Sequence, residues 1–170
     1  MKRIALVLFL TVAGMGIANS QEGDGSLLKV GDKAPQFTAT TIDGEVIDLA
    51  KSKGKIVMVT FFATWCGPCN QELPVLEKNI WNKYKNNENF VLVVLGREHD
   101  LKTVKEFSVK KNLNLPFAPD EKREIFASYA EKNIPRNVII GKDGKIAFQS
   151  VGYTEAEFKK MEEELAALLK

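Results

Sequence analysis

Between Ile56 and Phe62 the chain runs Ile-Val-Met-Val-Thr-Phe-Phe, seven residues without a charge. Such a run, rich in β-branched and aromatic residues, predicts a strand buried on both faces. Phe90 to Leu95 repeats the pattern and predicts a second strand of the same kind. Around these two runs the period changes. Cys66 to about Asn86 reads as one long helix, with Pro74 inside it as a kink. Leu101, Val104, Phe107 and Ser108 carry a helical period behind Asp100, a good N-cap. A short extended piece is expected over Leu115 to Ala118, and a helix over Glu124 to Asn133 with Ile125, Phe126, Tyr129 and Ala130 on one face. The last helix is expected over Thr154 to Leu169. There Thr154 and Glu157 fit a capping box, and Phe158, Met161, Leu165 and Leu168 form the apolar stripe. Two Asp-Gly pairs, Asp43-Gly44 and Asp143-Gly144, each sit between alternating residues and predict hairpins. The order predicts an α/β fold: a central mixed sheet with helices on both faces and an extra N-terminal hairpin.

The first residues follow a different logic. Lys2 and Arg3 precede an apolar stretch from Ile4 to Ala13, and Ala18-Asn19-Ser20 supplies small residues for cleavage. Residues 1–20 therefore read as a signal peptide, 21–29 as a flexible leader and 30–170 as one domain. The apolar stretch is short for a transmembrane span, and no cysteine lies near the cleavage site to take a lipid. An exported, soluble, periplasmic protein is expected. The whole chain has 24 basic and 22 acidic residues; Lys2 and Arg3 account for the difference. The expected mature chain is thus near neutral, which speaks against nucleic acid or an anionic membrane as partner. A monomer is expected.

Chemistry enters with Trp65-Cys66-Gly67-Pro68-Cys69, because these are the only two cysteines in the chain. The motif falls at the expected strand-to-helix turn. Residues i and i+3 share a helix face, so the two sulfurs can meet. Cys66 falls at the helix N-terminus, where free N–H groups and the helix dipole stabilise a thiolate, the attacking species in disulfide exchange. Cys66 should be exposed and act as nucleophile; Cys69, one turn inward, should be shielded and act as resolving thiol. Gly67 leaves the approach open, Pro68 has no N–H to lose in the first turn, and Trp65 can cover one side of the disulfide. A zinc site is a poor alternative, since two cysteines and the distant His99 fall short of four ligands. A purely structural disulfide across so small a loop constrains little. No metal or organic cofactor is expected beyond the redox-active Cys66–Cys69 disulfide.

The stretch Val59 to Cys69 resembles the thioredoxin superfamily. Gly31-Asp32-Lys33-Ala34-Pro35-Gln36-Phe37, Gln71-Glu72-Leu73-Pro74 and Gly141-Lys142-Asp143-Gly144-Lys145-Ile146 resemble its exported TlpA/ResA-like branch. The resemblance implies a thioredoxin-like fold from about Val30 onward. It also implies thiol–disulfide exchange on other proteins, often reductive and often in cytochrome c maturation, with re-reduction by a membrane-bound or soluble dithiol donor. It places a cis-proline at Pro135, facing the CxxC, with the Ile134 backbone offered to an extended substrate segment that can add as a strand. Arg136 departs from the small or hydroxyl residues common there and would add a cation beside the site. Glu72 matches an acid that borders the thiols and tunes them, at a position expected near the surface; the plain alternative is a solvated surface glutamate. Thr60 stands where many thioredoxins carry a buried aspartate, which leaves Glu72 as the nearest carboxyl for proton handling at Cys69. His99 reads as a surface-loop residue.

Two other functions remain open on the sequence. A peroxiredoxin-type peroxidase shares the fold, but its Pro-x-x-x-Thr-x-x-Cys pattern fails here, with Thr60 six residues before Cys66 and no proline near Val59. A redox-gated binding module would use the same disulfide to select a partner without turnover.

Overall fold

A computed structural model describes residues 23–170. The signal-peptide reading and the start of the leader lie outside the described residues. The chain order is β1 (Thr38–Thr40), β2 (Val46–Asp48), a 3-10 turn (Leu49–Ser52), β3 (Ile56–Phe62), α1 (Gly67–Leu76), a π-helical stretch (Glu77–Trp81) and α2 (Asn82–Tyr84). There follow β4 (Phe90–Arg97), α3 (Leu101–Lys111), β5 (Phe117–Asp120), α4 (Glu124–Tyr129), β6 (Arg136–Ile140), β7 (Ile146–Val151) and α5 (Glu155–Leu168).

Five strands form one sheet in the order β5-β4-β3-β6-β7. β3, β4 and β5 run parallel, while β6 and β7 are antiparallel to their neighbours. The two apolar runs thus became the two central parallel strands, and all seven residues of β3 are buried. Strand alternation splits the core. Ile56, Met58 and Phe62 pack with Leu73 and Leu76 of α1, Val104 and Phe107 of α3, and Phe158, Met161 and Leu165 of α5. Val57, Val59 and Phe61 face the other way, onto Phe126 and Tyr129 of α4 and onto Phe37, Ala39 and Ile47 of the β1–β2 hairpin. Helices therefore cover both faces, three on one and α4 with the hairpin on the other. Gly44 and Gly144, at φ 90° and 77°, take the left-handed positions that their turns require.

Several local expectations hold. Asp100 accepts from Thr103 N–H at 2.7 Å and caps α3. Thr154 accepts from Glu157 N–H at 3.2 Å and caps α5. Two helices differ from expectation. The long helix is not a uniform kinked α-helix: it passes into π-helical turns at Glu77, three residues after Pro74. Proline cannot donate to the helical ladder and crowds the carbonyl four residues back, that of Asn70. The helix α4 stops at Tyr129, because Ala130 is extended and pairs with Ser26.

That pairing bears on the leader. Leu27 N–H donates to Tyr129 C=O at 3.1 Å, and Gln149 donates to Leu28 C=O at 2.9 Å. The described part of the leader is thus held against the domain by its own backbone.

Candidate active site

Cys66 and Cys69 are joined, with sulfurs 2.03 Å apart and Cα atoms 5.3 Å apart. Cys66 is the N-cap of α1, at φ −79° and ψ 110°, and its Sγ accepts from Cys69 N–H at 3.2 Å. A sulfur in this position faces the unpaired N–H groups of the first turn. Cys69 is fully buried, as expected, but Cys66, expected to be exposed, is buried too, with 5% exposure. In the disulfide state Cys66 is therefore mostly covered rather than open. Pro68 occupies the first turn, where its missing N–H costs nothing. A side chain at Gly67 would meet nothing within 4 Å, so the space in front of the motif is open. Trp65 stands out at 66% exposure, with the Arg97 guanidinium 5.9 Å from its ring centre.

The turn that carries Trp65 into Cys66 is tied down on both sides. Asn70 of α1 donates to Thr64 C=O at 3.2 Å and to Cys66 C=O at 2.8 Å. From the far side, Thr64 N–H donates to His99 Nε2 at 2.9 Å. His99 is not a surface-loop residue. It is buried, and its ring meets Phe62 edge-on at 6.3 Å between centres.

The Ile134–Pro135 bond is cis. Arg136 of β6 pairs with Phe61 of β3, so Pro135 lies one step further toward the end of β3 that leads to the cysteines. Pro135 C=O accepts from Gly152 N–H at 2.8 Å, and Ile134 is half-buried between the two halves of the core.

Glu72 differs most from the sequence reading. Expected near the surface, it is buried at 2% exposure. Asn137 Nδ2 donates to Glu72 Oε1 at 2.6 Å, and Thr60 Oγ1 donates to Asn137 Oδ1 at 2.7 Å. Glu72 Oε2 has no hydrogen-bond partner among the described residues. Loss of solvent pushes the Glu72 carboxyl up to about 7, and the Asn137 bond opposes that rise only in part. Thr60 and Asn137 sit opposite each other in the β3–β6 pair, on the face that carries α1. Thr60 thus holds the residue that holds Glu72. Asn137 was missed in the sequence, where it read only as the start of a strand. A polar residue inside the Asn-Val-Ile-Ile run was the available signal.

The Redoxin family model matches residues 29–169. The thiol–disulfide oxidoreductase ResA of Bacillus thuringiensis is 32% identical over 151 residues, covering 88% of this chain and 86% of that protein. The solution structure of a candidate protein disulfide isomerase from Bacteroides thetaiotaomicron superposes with a TM-score of 0.81. It is 37% identical, and the match covers 85% of this chain and 92% of that one. The crystal structure of a candidate DsbE thiol:disulfide interchange protein from Chlorobium tepidum superposes with a TM-score of 0.75 at 30% identity, covering 84% and 99%. The chain belongs to the Redoxin family. It is a TlpA/ResA-like member of the thioredoxin superfamily and a thiol–disulfide oxidoreductase.

Thioredoxin-like oxidoreductases work through a redox-active cysteine pair; among the described residues no group of three or more His, Cys, Asp or Glu is placed to hold a metal ion. One expected site residue is misplaced. Arg136 puts no cation beside this redoxin's disulfide. Strand alternation turns it to the face opposite Asn137, where it is fully buried. There it donates to Ser26 Oγ at 2.6 Å, to Asp24 C=O at 2.8 Å and to Lys132 C=O at 3.1 Å. It clamps the leader. Beside Trp65 lies a shallow hollow of about 370 Å³ lined by Thr64, Trp65, Thr103, Phe107 and Lys110. Two roomier hollows, about 390 and 430 Å³, flank Lys142 and Asp143 at the opposite end of β3 from the cysteines.

Proposed function

We propose that this redoxin is an exported, soluble, monomeric reductant of protein disulfides. Cys66 as thiolate attacks one sulfur of a substrate disulfide, and the other substrate sulfur leaves as a thiolate that takes a proton from water. The mixed disulfide is then attacked by Cys69, which releases the second substrate thiol and closes the Cys66–Cys69 bond. A dithiol donor, membrane-bound or soluble, returns the pair to the reduced state, since exported compartments lack the cytosolic reducing pool. Substrates of the kind met in cytochrome c maturation fit this reading.

The observation that carries the reductive direction is Glu72, buried three residues after Cys69 on the same helix. An oxidant of this fold stabilises its reduced form through a strongly acidic nucleophile. A buried carboxyl with its pKa pushed up to about 7 does the reverse: once ionised, its charge disfavours the thiolates and leaves the disulfide state relatively favoured. The same carboxyl can accept the Cys69 proton when the resolving step needs a thiolate. The shallow hollow beside Trp65, next to the exposed Gly67 and Pro68, suits an extended polypeptide rather than an enclosed small molecule. Beside it, the Ile134 backbone is offered as an edge to that polypeptide. Export rests on the signal-like pattern of residues 1–20.

Two assays test this. The reduced protein should cleave insulin disulfides and should not consume hydrogen peroxide at a comparable rate. Peroxide turnover without insulin cleavage would favour a peroxidase, and neither activity would favour a redox-gated binding module. In the native host, the mature protein should begin near Gln21 and fractionate outside the cytoplasm. A full-length cytoplasmic chain would contradict export.

A further inference from the structure

His99 is a buried imidazole that the exchange chemistry does not use, and both of its ring nitrogens are engaged. Nε2 lies 2.9 Å from Thr64 N, which is a donor only, so Nε2 must be the acceptor and carry no proton. The proton is then on Nδ1, which donates to Glu98 C=O at 3.0 Å. The backbone is shaped to put the ring there. Glu98 takes a left-handed φ of 61°. Gly96 leaves the room: a Cβ at that position would lie 2.7 Å from Val104 Cγ2 and 3.3 Å from His99 Cβ. The bond joins residues 35 positions apart, and its donor is two residues before Cys66.

We propose that His99 is a positioning residue for the nucleophile. It holds the Thr64–Trp65 turn from the β4 side while Asn70 holds it from the α1 side, so that Cys66 keeps its N-cap conformation. The N-cap conformation keeps Cys66 Sγ against the N–H groups of the first turn, and that placement stabilises the thiolate. Without the acceptor, Thr64 N–H has no partner in a half-buried turn, and the turn must shift to find one. The role does not depend on the direction of electron flow. It rests on the assignment of Cys66 as the attacking cysteine.

The test uses the full chain in its reduced form, with His99→Leu, which has no acceptor, and His99→Gln, whose Oε1 can reach toward Thr64 N–H. Iodoacetamide labelling across pH, with the labelled cysteine identified by mass spectrometry, reports thiolate formation at Cys66; insulin cleavage reports turnover. His99→Leu should raise the labelling midpoint by about half a pH unit or more and lower kcat/KM at least about fivefold. His99→Gln should restore both to within about twofold. A wild-type-like midpoint in His99→Leu would overturn the proposal. So would equal impairment in both variants, which would mean that ring packing on Phe62, not the acceptor, matters. If His99→Leu does not fold, the ¹⁵N signals of the unaltered protein at pH 8 decide: a proton on Nδ1 is expected, and a proton on Nε2 refutes the bond. Labelling of Cys69 ahead of Cys66 in the unaltered protein would instead reject the assigned cysteine roles, and the inference with them.

Discussion

Asn137 Nδ2 donates to Glu72 Oε1 at 2.6 Å, and this single bond ties the helix that carries both cysteines to the strand that follows Pro135. The carboxyl receives one donor where it could take several, in a buried site. Its ionisation is therefore linked to stability and, on the proposed function, also to the thiols.

The stability consequence has a definite sign. Glu72 has a folded pKa of about 7 against an ordinary value of 4.5, so the folded state binds its proton more tightly than the unfolded state does. The contribution is fully present below pH 4.5 and is lost as pH rises through 7. A shift of this size corresponds to roughly 3 kcal/mol, good to its order of magnitude. Glu72→Gln has no such titration. Urea unfolding of both proteins at pH 5 and pH 8 should show the wild type losing more stability than the variant over that interval; equal losses would return Glu72 to a solvated position. The same substitution should acidify the dithiol, make its potential less negative and slow the resolving step.

Asn137→Ala removes the one donor to Glu72 and leaves Thr60 without its acceptor. The cost should be about 1–3 kcal/mol at pH 8, where the carboxylate needs that donor. It should be smaller at pH 5, where Glu72 is protonated. A cost independent of pH would mean that Asn137 serves packing alone.

The cysteine roles separate kinetically. Cys66→Ser should abolish exchange. Cys69→Ser should instead accumulate mixed disulfides between Cys66 and substrate proteins, visible as dithiothreitol-sensitive bands on non-reducing gels. Trapping by the Cys66→Ser protein would reverse the assignment.

Arg136→Met should separate stability from activity. The guanidinium is fully buried and donates to the leader and to Lys132 C=O. Its loss should cost about 2–3 kcal/mol while kcat/KM at pH 7 stays within about twofold. A large loss of turnover with unchanged stability would put Arg136 back beside the disulfide.

Much of this was legible in the sequence wherever a local pattern decides the outcome. The Ile56–Phe62 run, the two Asp-Gly turns, the Asp100 and Thr154 caps and the CxxC at a strand-to-helix turn all depend on near neighbours. What was misread depends on partners far along the chain. Glu72 was expected near the surface because its hydrogen-bond partner, Asn137, lies 65 residues away. His99 looked like a loop residue because its acceptor role requires the turn at Thr64. Arg136 looked like a cation for the site because nothing local shows that Asp24 and Ser26 fold back to meet it. In each case a polar side chain was placed by a long-range hydrogen bond that no periodicity encodes.

The reductive assignment is tested most directly by the equilibrium potential of the Cys66–Cys69 couple, measured against glutathione at pH 7. With Glu72 buried one helical turn after Cys69, it should fall near the thioredoxin value of about −270 mV. A potential near −120 mV, the range of a strong oxidant, would contradict the account.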